Sequence, residues 1–379
     1  MASGGDDGGS SRGSGRPQFV LRGHKAAVNT VSFVSVNQQM HILSGSQDGI
    51  VKLWDLTSRR ARTTFAAHDG SVLQATLLSG FQMITQEKGG TIHLWDCASE
   101  LKGASPSQRS GHISSSTTPQ KIQTFDTRSY GFCRCASKEQ SGKRMLLTAS
   151  DSRSKLLLWD LKSSKPIQKI SLTTGREDFG LTTHVSFLGN DSMDTICWGS
   201  ESGHIGFYSL TAARSIAKGT LEKQPVMSVS CLPSKTGALG FAGGALGEIT
   251  AFSVDFNQGK VETHQKVKYG DKGISEVKIR HDSRIFATAG WDHRVRIFNS
   301  KSMEQLAILK YHSQSVFCVD FGPSSEGFVA SGSKDSTIAV FKVYPSKKKK
   351  KTNKTKKPQQ EGQGALERNP DDVSEQKKA

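Results

Sequence analysis

A pattern returns seven times along this chain of 379 residues, and few folds can accommodate it. Three copies match on sight: ILSGSQDGIVKLWDL (42–56), MITQEKGGTIHLWDC (83–97) and LLTASDSRSKLLLWDL (146–161). Each is a short β-rich run, a polar turn, a second β-rich run and a closing Trp-Asp. Four more keep the pattern with another aromatic: CWGSESGHIGFYSL, GFAGGALGEITAFSV, FATAGWDHRVRIFNS and FVASGSKDSTIAVFKV. The closing aromatics are Trp54, Trp95, Trp159, Tyr208, Phe252, Phe298 and Phe341, separated by 41, 64, 49, 44, 46 and 43 residues. All but one spacing lies near the roughly 40–45 residues of a four-stranded blade.

Seven such units predict an all-β protein, a seven-bladed β-propeller over 18–344. The long spacing has a visible source in CASELKGASPSQRSGHISSSTTPQK, a Ser/Thr/Gly-rich stretch read as a flexible insertion over about 98–121. Residues 1–17, rich in Gly and Ser, and 345–379, rich in Lys, are read as disordered flanks. A strand in PQFVLRGH precedes the first full unit, so it is expected to pair with the last three strands of blade 7 and remove the open sheet edge.

The register settles which residues correspond. Gly23-His24, Ala67-His68 and Tyr311-His312 precede the alternating innermost strands of their blades. Six residues before the closing aromatic stands a turn residue: Asp48, Asp292 and Asp335 in blades 1, 6 and 7. Blades 2 to 5 have Gly89, Arg153, Ser202 and Leu246 there, which predicts weaker internal hydrogen bonding. Trp291-Asp292 is therefore not a closing Trp-Asp. Asp292 is a turn aspartate, and Phe298-Asn299 takes the closing place.

In that register the chain looks like a WD40 protein distantly similar to G-protein β subunits. More narrowly, PQFVLRGH, GISEVKIRHDSRIFATAGWDHRVRIFNS and VASGSKDSTIAVFKVYP resemble the guanine-nucleotide-binding-protein beta-subunit-like family, most sharply in blades 1, 6 and 7. Its fungal members are called ASTRA-associated proteins, and its plant members Decreased Size Exclusion Limit or Tanmei. The resemblance implies a non-enzymatic adaptor, a monomeric propeller working within protein complexes. Plant members imply control of transport through plasmodesmata and of embryo development, the leading expectation. Animal and fungal members imply a co-chaperone role in maturing phosphatidylinositol-3-kinase-related kinases, and a role in chromatin complexes.

Composition closes off other classes. No apolar run is long enough to span a bilayer, and the N-terminus has no apolar segment of a secretory signal. Six cysteines without a Cys-x-x-Cys spacing fit reduced thiols, and Cys133-x-Cys135 reads as strand positions, not a metal pair. No histidine spacing suits a metal, and GGALGE (243–248) lacks the Lys-Ser/Thr of a phosphate loop, so no cofactor is expected. His24, Ser44 and Asp48 imitate a catalytic triad, but the set recurs at His312, Ser331 and Asp335. That repetition marks a structural network, with the histidine bridging turn aspartate and strand serine and Trp54 beneath.

The net charge is +17, of which 345–379 supplies +6 from 11 basic and 5 acidic residues. Acidic partners are favoured. Lys347, Lys348, Lys349, Lys350, Lys351, Lys354, Lys356 and Lys357 form a basic run with three readings: nuclear import signal, tether to acidic surfaces or nucleic acid, and solubilising tail. With the first of these the protein is expected in cytoplasm and nucleus. No aromatic interleaves the lysines, so nucleic acid is expected only as a non-specific contact.

A cullin-ligase receptor is the remaining alternative, because 42–57 follows a docking box except that Thr57 stands where Arg or Lys is required. Trp159-Asp160-Leu161-Lys162 has a poorer lead-in, and Trp291-Asp292-His293-Arg294 has the letters out of register. As a partner surface the sequence points to Trp291, Lys334 and Gln47, the residues just before the turn aspartates on three adjacent blades. A large aromatic at such a turn has no core to fill, whereas Trp anchors interfaces.

Overall fold

A computed structural model describes residues 15–102, 118–129, 131–173, 177–189, 194–323 and 325–344. They form seven four-stranded antiparallel sheets, the blades of a propeller. Blade 1 runs outward through Val28–Val36, Gln39–Ser46, Ile50–Asp55 and Arg60–Ala66. The innermost strands of blades 2 to 7 are Val72–Leu77, Ala136–Gln140, Thr182–Phe187, Val226–Pro233, Ile274–Ile279 and Val316–Phe321.

The ring closes as the sequence predicts. Phe19–Arg22 is the outer strand of blade 7, antiparallel to Thr337–Lys342, with Phe19 opposite Val340 and Arg22 opposite Thr337. Leu21, 1% exposed, packs with Val28, Trp54, Ile338 and Val340, so the first strand seals the core between the last blade and the first. Burying apolar faces between neighbouring blades is what makes each sheet stable, since no blade has a core of its own.

All seven closing aromatics are buried, from Phe298 at 0% to Tyr208 at 7% exposure. The residue after each turn position has positive φ in every blade: Gly49, Gly90, Ser154, Gly203, Gly247, His293 and Ser336. At Gly49 a Cβ would lie 1.9 Å from the His68 carbonyl oxygen, so this turn needs glycine. Asn299 also behaves as a closing Asp: its Oδ1 accepts from Lys301 N at 2.8 Å, as Asp55 Oδ1 does from Thr57 N at 2.8 Å.

The segment read as a flexible insertion begins with order. Ala98–Lys102 is a five-residue helix whose Leu101 is 2% exposed, and Gln120 already belongs to the outer strand of blade 2. Apolar Leu101 sits against the blade 1 and 2 core, a contact that a compositional reading of the Ser-rich stretch passes over. Residues 103–117 of the insertion, 1–14, and the tail lysines lie outside the described residues.

Candidate functional site

The turns between the second and third strands gather on one face, here called the top, with the loops before each innermost strand. The backbone amide of Gln47 donates to Ala27 O at 2.8 Å, that of Trp291 to Gly273 O at 2.8 Å and that of Lys334 to Ser315 O at 2.9 Å. These three residues are thus equivalent, as predicted. Lys334 and Gln47 are exposed, but Trp291 is half-buried. Its ring lies over Gly273, where a Cβ would come within 2.6 Å of the indole. Ser315 Oγ donates to Trp291 O at 3.1 Å and joins blade 7 to this turn. Trp291 therefore covers its own loop at Gly273 and stays only partly exposed.

The structural network is complete in blade 7. His312 bonds Asp335 Oδ2 through Nδ1 and Ser331 Oγ through Nε2, each at 2.9 Å, and Thr337 Oγ1 donates to Asp335 at 2.7 Å. Burial would raise the Asp335 carboxyl, but the His312 and Thr337 hydrogen bonds outweigh it and hold it well below the usual carboxylate range.

Blade 1 departs from the expected bridge. His24 Nε2 and Trp54 Nε1 both meet Ser44 Oγ at 2.8 Å, but Asp48 takes its bond from Ser46 Oγ at 2.6 Å. His24 Nδ1 has no partner among the described residues, and burial, assisted by Lys52, lowers this histidine to about 4. Ser44 is fully buried, so no substrate reaches the apparent triad. In blade 6 the loop before the innermost strand carries no histidine, and Asp292 instead binds Arg296 in a fork of 3.1 and 2.5 Å.

Blade 2 corrects the expectation of weak bonding. Thr85 Oγ1 replaces the serine and joins His68 Nε2 and Trp95 Nε1, both at 2.8 Å, with Glu87 3.5 Å from His68 Nδ1. Blade 5 places Glu222 where the histidine would stand. It is 6% exposed, accepts from Thr250 Oγ1 at 2.7 Å, and burial pushes its carboxyl up.

The central channel holds a group that the repeat pattern does not reveal. Arg134, at the start of blade 3, pairs with Glu276 of blade 6 at 2.9 Å. Its Nη2 donates to Asn29 O of blade 1 at 2.7 Å and Phe317 O of blade 7 at 2.9 Å. None of those blades adjoins blade 3, so the side chain spans the channel. Glu276 in turn accepts from Val319 N at 2.8 Å, and Asp320 accepts from Phe33 N at 2.8 Å. His184 nearby is lowered to about 3 by burial and by the Arg134 and Lys278 charges. The only sequence signal was an arginine between two cysteines.

Those cysteines are free thiols with no further ligating side chains clustered about them among the described residues. Cys133 and Cys135 are buried, and burial pushes both thiols up to about 12. Among the described residues no cluster of ligating side chains could hold a metal ion, and no helix is long and apolar enough to cross a membrane.

With the geometry in place, the profile of the family described as "WD domain, G-beta repeat" matches residues 15–55, 262–299 and 303–342, that is, blades 1, 6 and 7. The chain thus carries WD40 repeats in those three blades. It is similar to guanine nucleotide-binding protein subunit beta-like protein 1 of Mus musculus, 29% identical, covering 87% of this chain and 96% of that protein. It is similar also to ASTRA-associated protein 1 of Schizosaccharomyces pombe, at 27% identity over 86% of this chain and 99% of that protein. The Schizosaccharomyces japonicus protein of the same name is 26% identical, again covering 86% and 99%. These are the two names under which the sequence resemblance places the animal and fungal members. WD40 propellers are typically non-catalytic scaffolds for other proteins.

Proposed function

We propose that this chain is a non-enzymatic adaptor in an assembly of the ASTRA kind, serving the maturation of phosphatidylinositol-3-kinase-related kinases. The observation that supports the reading is the extent of the similarity: the two Schizosaccharomyces ASTRA-associated proteins are covered over 99% of their length. The plasmodesmal and developmental role, the leading expectation from sequence, is now the second reading. Its support is the resemblance to plant members alone. The box that a cullin adaptor would need ends in Thr57, whose amide caps Asp55, so the receptor reading has no basic side chain at that place.

Affinity purification of the tagged full chain under mild salt decides among these. Kinase co-chaperone subunits are expected. Recovery of cell-junction proteins or a cullin adaptor in their stead would overturn the proposal. The tail, in this reading, divides the protein between cytoplasm and nucleus. Changing the eight lysines from Lys347 to Lys357 to Gln should shift a fluorescent fusion to the cytoplasm, and an unchanged distribution would reduce the run to a solubiliser.

A further inference from the structure

Among the described residues, six large apolar side chains are markedly exposed: Ile122, Phe132, Ile167, Leu181, Leu239 and Leu246. Three of them share the top face, on consecutive blades. Phe132, 67% exposed, stands in the loop before the innermost strand of blade 3. Leu181 holds the same place in blade 4, where its carbonyl accepts from Glu201 N at 3.0 Å, as Ala27 does from Gln47. Leu246 lies in the turn of blade 5, next to Ala245, whose amide donates to Pro225 O at 3.2 Å.

Phe132 also forms one wall of a shallow cleft of about 460 Å³ between blades 2 and 3. Its other lining residues are Gly70, Ser71, Glu87, Lys88, Gly89 and Gly131. Three glycines leave the cleft open where side chains would fill it. The Lys88 ammonium stands 4.4 Å from the Phe132 ring centroid, so a cation and an aromatic face are presented together.

The charges around this arc are largely sorted by sign. Most of its carboxylates face groups within the propeller, Glu87 near His68, Asp178 and Glu201 on Arg153, Glu177 on Lys218 and Glu222 on Thr250, while Asp69 beside the cleft is exposed. Lys88, Lys223 and Lys272 are exposed, and no carboxylate pairs with them among the described residues. A surface with apolar side chains outward, most acids turned inward and three lysines unpaired complements a ligand of the opposite design.

We infer that the top face of blades 2 to 5 docks an acidic segment of a partner protein, which seats an apolar anchor in the Phe132 cleft and sets carboxylates on Lys88 and Lys223. The inference rests on the adaptor reading, and its Phe132 cleft between blades 2 and 3 is distinct from the Trp291 turn of blade 6, which borders blade 5 at Gly273 and Ala245. The adaptor could lose this surface and still bind through blades 6, 7 and 1.

The test uses a defined probe, a labelled peptide alternating Glu with Leu around a central Phe, titrated into the full chain with anisotropy as readout. Comparison peptides replace Glu by Lys, or Leu and Phe by Ser. A labelled oligo-uridine covers the possibility that lysine and aromatic serve RNA. The acidic apolar peptide should bind, Phe132→Ser should weaken it about tenfold and Lys88→Gln about threefold, with a shallower salt dependence. Ile167→Ser, exposed away from this face, should leave binding unchanged, and all variants should melt with the parent protein.

Binding that survives Phe132→Ser but disappears when the eight tail lysines become Gln would place the peptide on the tail and overturn the inference. So would equal affinity for the lysine peptide, or tighter binding of oligo-uridine lost with Phe132→Ser.

Discussion

Arg134→Met removes the only side chain found to link blade 3 to blades 6, 7 and 1 across the channel, among the described residues. The Arg134 side chain is 25% exposed and that of Glu276 18%, so both sit in the channel with partial access to water. Breaking a buried pair from one side costs about 3–5 kcal/mol, because the remaining charge is left unpaired. Partial solvation of this pair places the loss at the lower end, about 3 kcal/mol, and two carbonyls, of Asn29 and Phe317, also lose their donor. For a propeller of this size that is about 6 °C in Tm, at about 2 °C per kcal/mol.

Methionine keeps the apolar stem, so packing changes little. The assay is thermal melting of the full chain followed by circular dichroism, for Arg134→Met, Glu276→Leu and the double variant. The double variant should be less destabilised than the sum of the single ones by about 1 kcal/mol or more, as residues in direct contact are. If Arg134→Met melts within about 1 °C of the parent, or if the two losses simply add, the cross-channel tie does not hold the ring.

Three further outcomes follow from the same geometry. His312→Ala should cost about 3 kcal/mol and His24→Ala about half of that, since His312 joins Asp335 and Ser331 while His24 holds only Ser44; urea melts of the two variants compare them. His24 and His68 are lowered to about 4 and His184 to about 3, against 6.5 when unfolded, so the unfolded chain binds more protons in that interval. Their contribution is complete above pH 6.5 and is lost as pH falls toward 4, so Tm should be flat above about pH 7 and decline below 6.5. Deleting 18–24 should expose the edge at Thr337–Lys342 and lead to aggregation on size-exclusion chromatography, and a soluble monomer of unchanged Tm would contradict ring closure.

What the sequence made legible was everything that repeats. Seven closing aromatics, the turn positions and the closing strand could be found because each blade needs the same inward aromatic and the same tight turn. Blade 2 was undervalued because its network uses Thr85, chemically equivalent to Ser, to join His68 and Trp95 without an aspartate at the turn position. Asp48 and Asp335 each stand two residues after a strand serine, yet only Asp335 reaches its histidine; Thr337 Oγ1 also donates to Asp335, whereas blade 1 has the apolar Ile50 at that place.

Arg134 was beyond reach for a different reason. Its partners lie 105, 142 and 183 residues away, on strands that meet only once the ring has closed. Exposure of Phe132 is equally unmarked, since an aromatic at the entry to a strand ordinarily turns into the core. Trp291 was legible as a turn residue, but not as a ring lying over Gly273.

The central claim is that this propeller works as an adaptor through its top face. Quantitative mass spectrometry of proteins co-purified with the full chain, with Phe132→Ser, with Trp291→Ala and with both tests it, provided each variant keeps the parental Tm. The account expects kinase co-chaperone subunits with the parent, and a loss of about tenfold or more in at least one top-face variant. Equal recovery of every partner by all four proteins would contradict it.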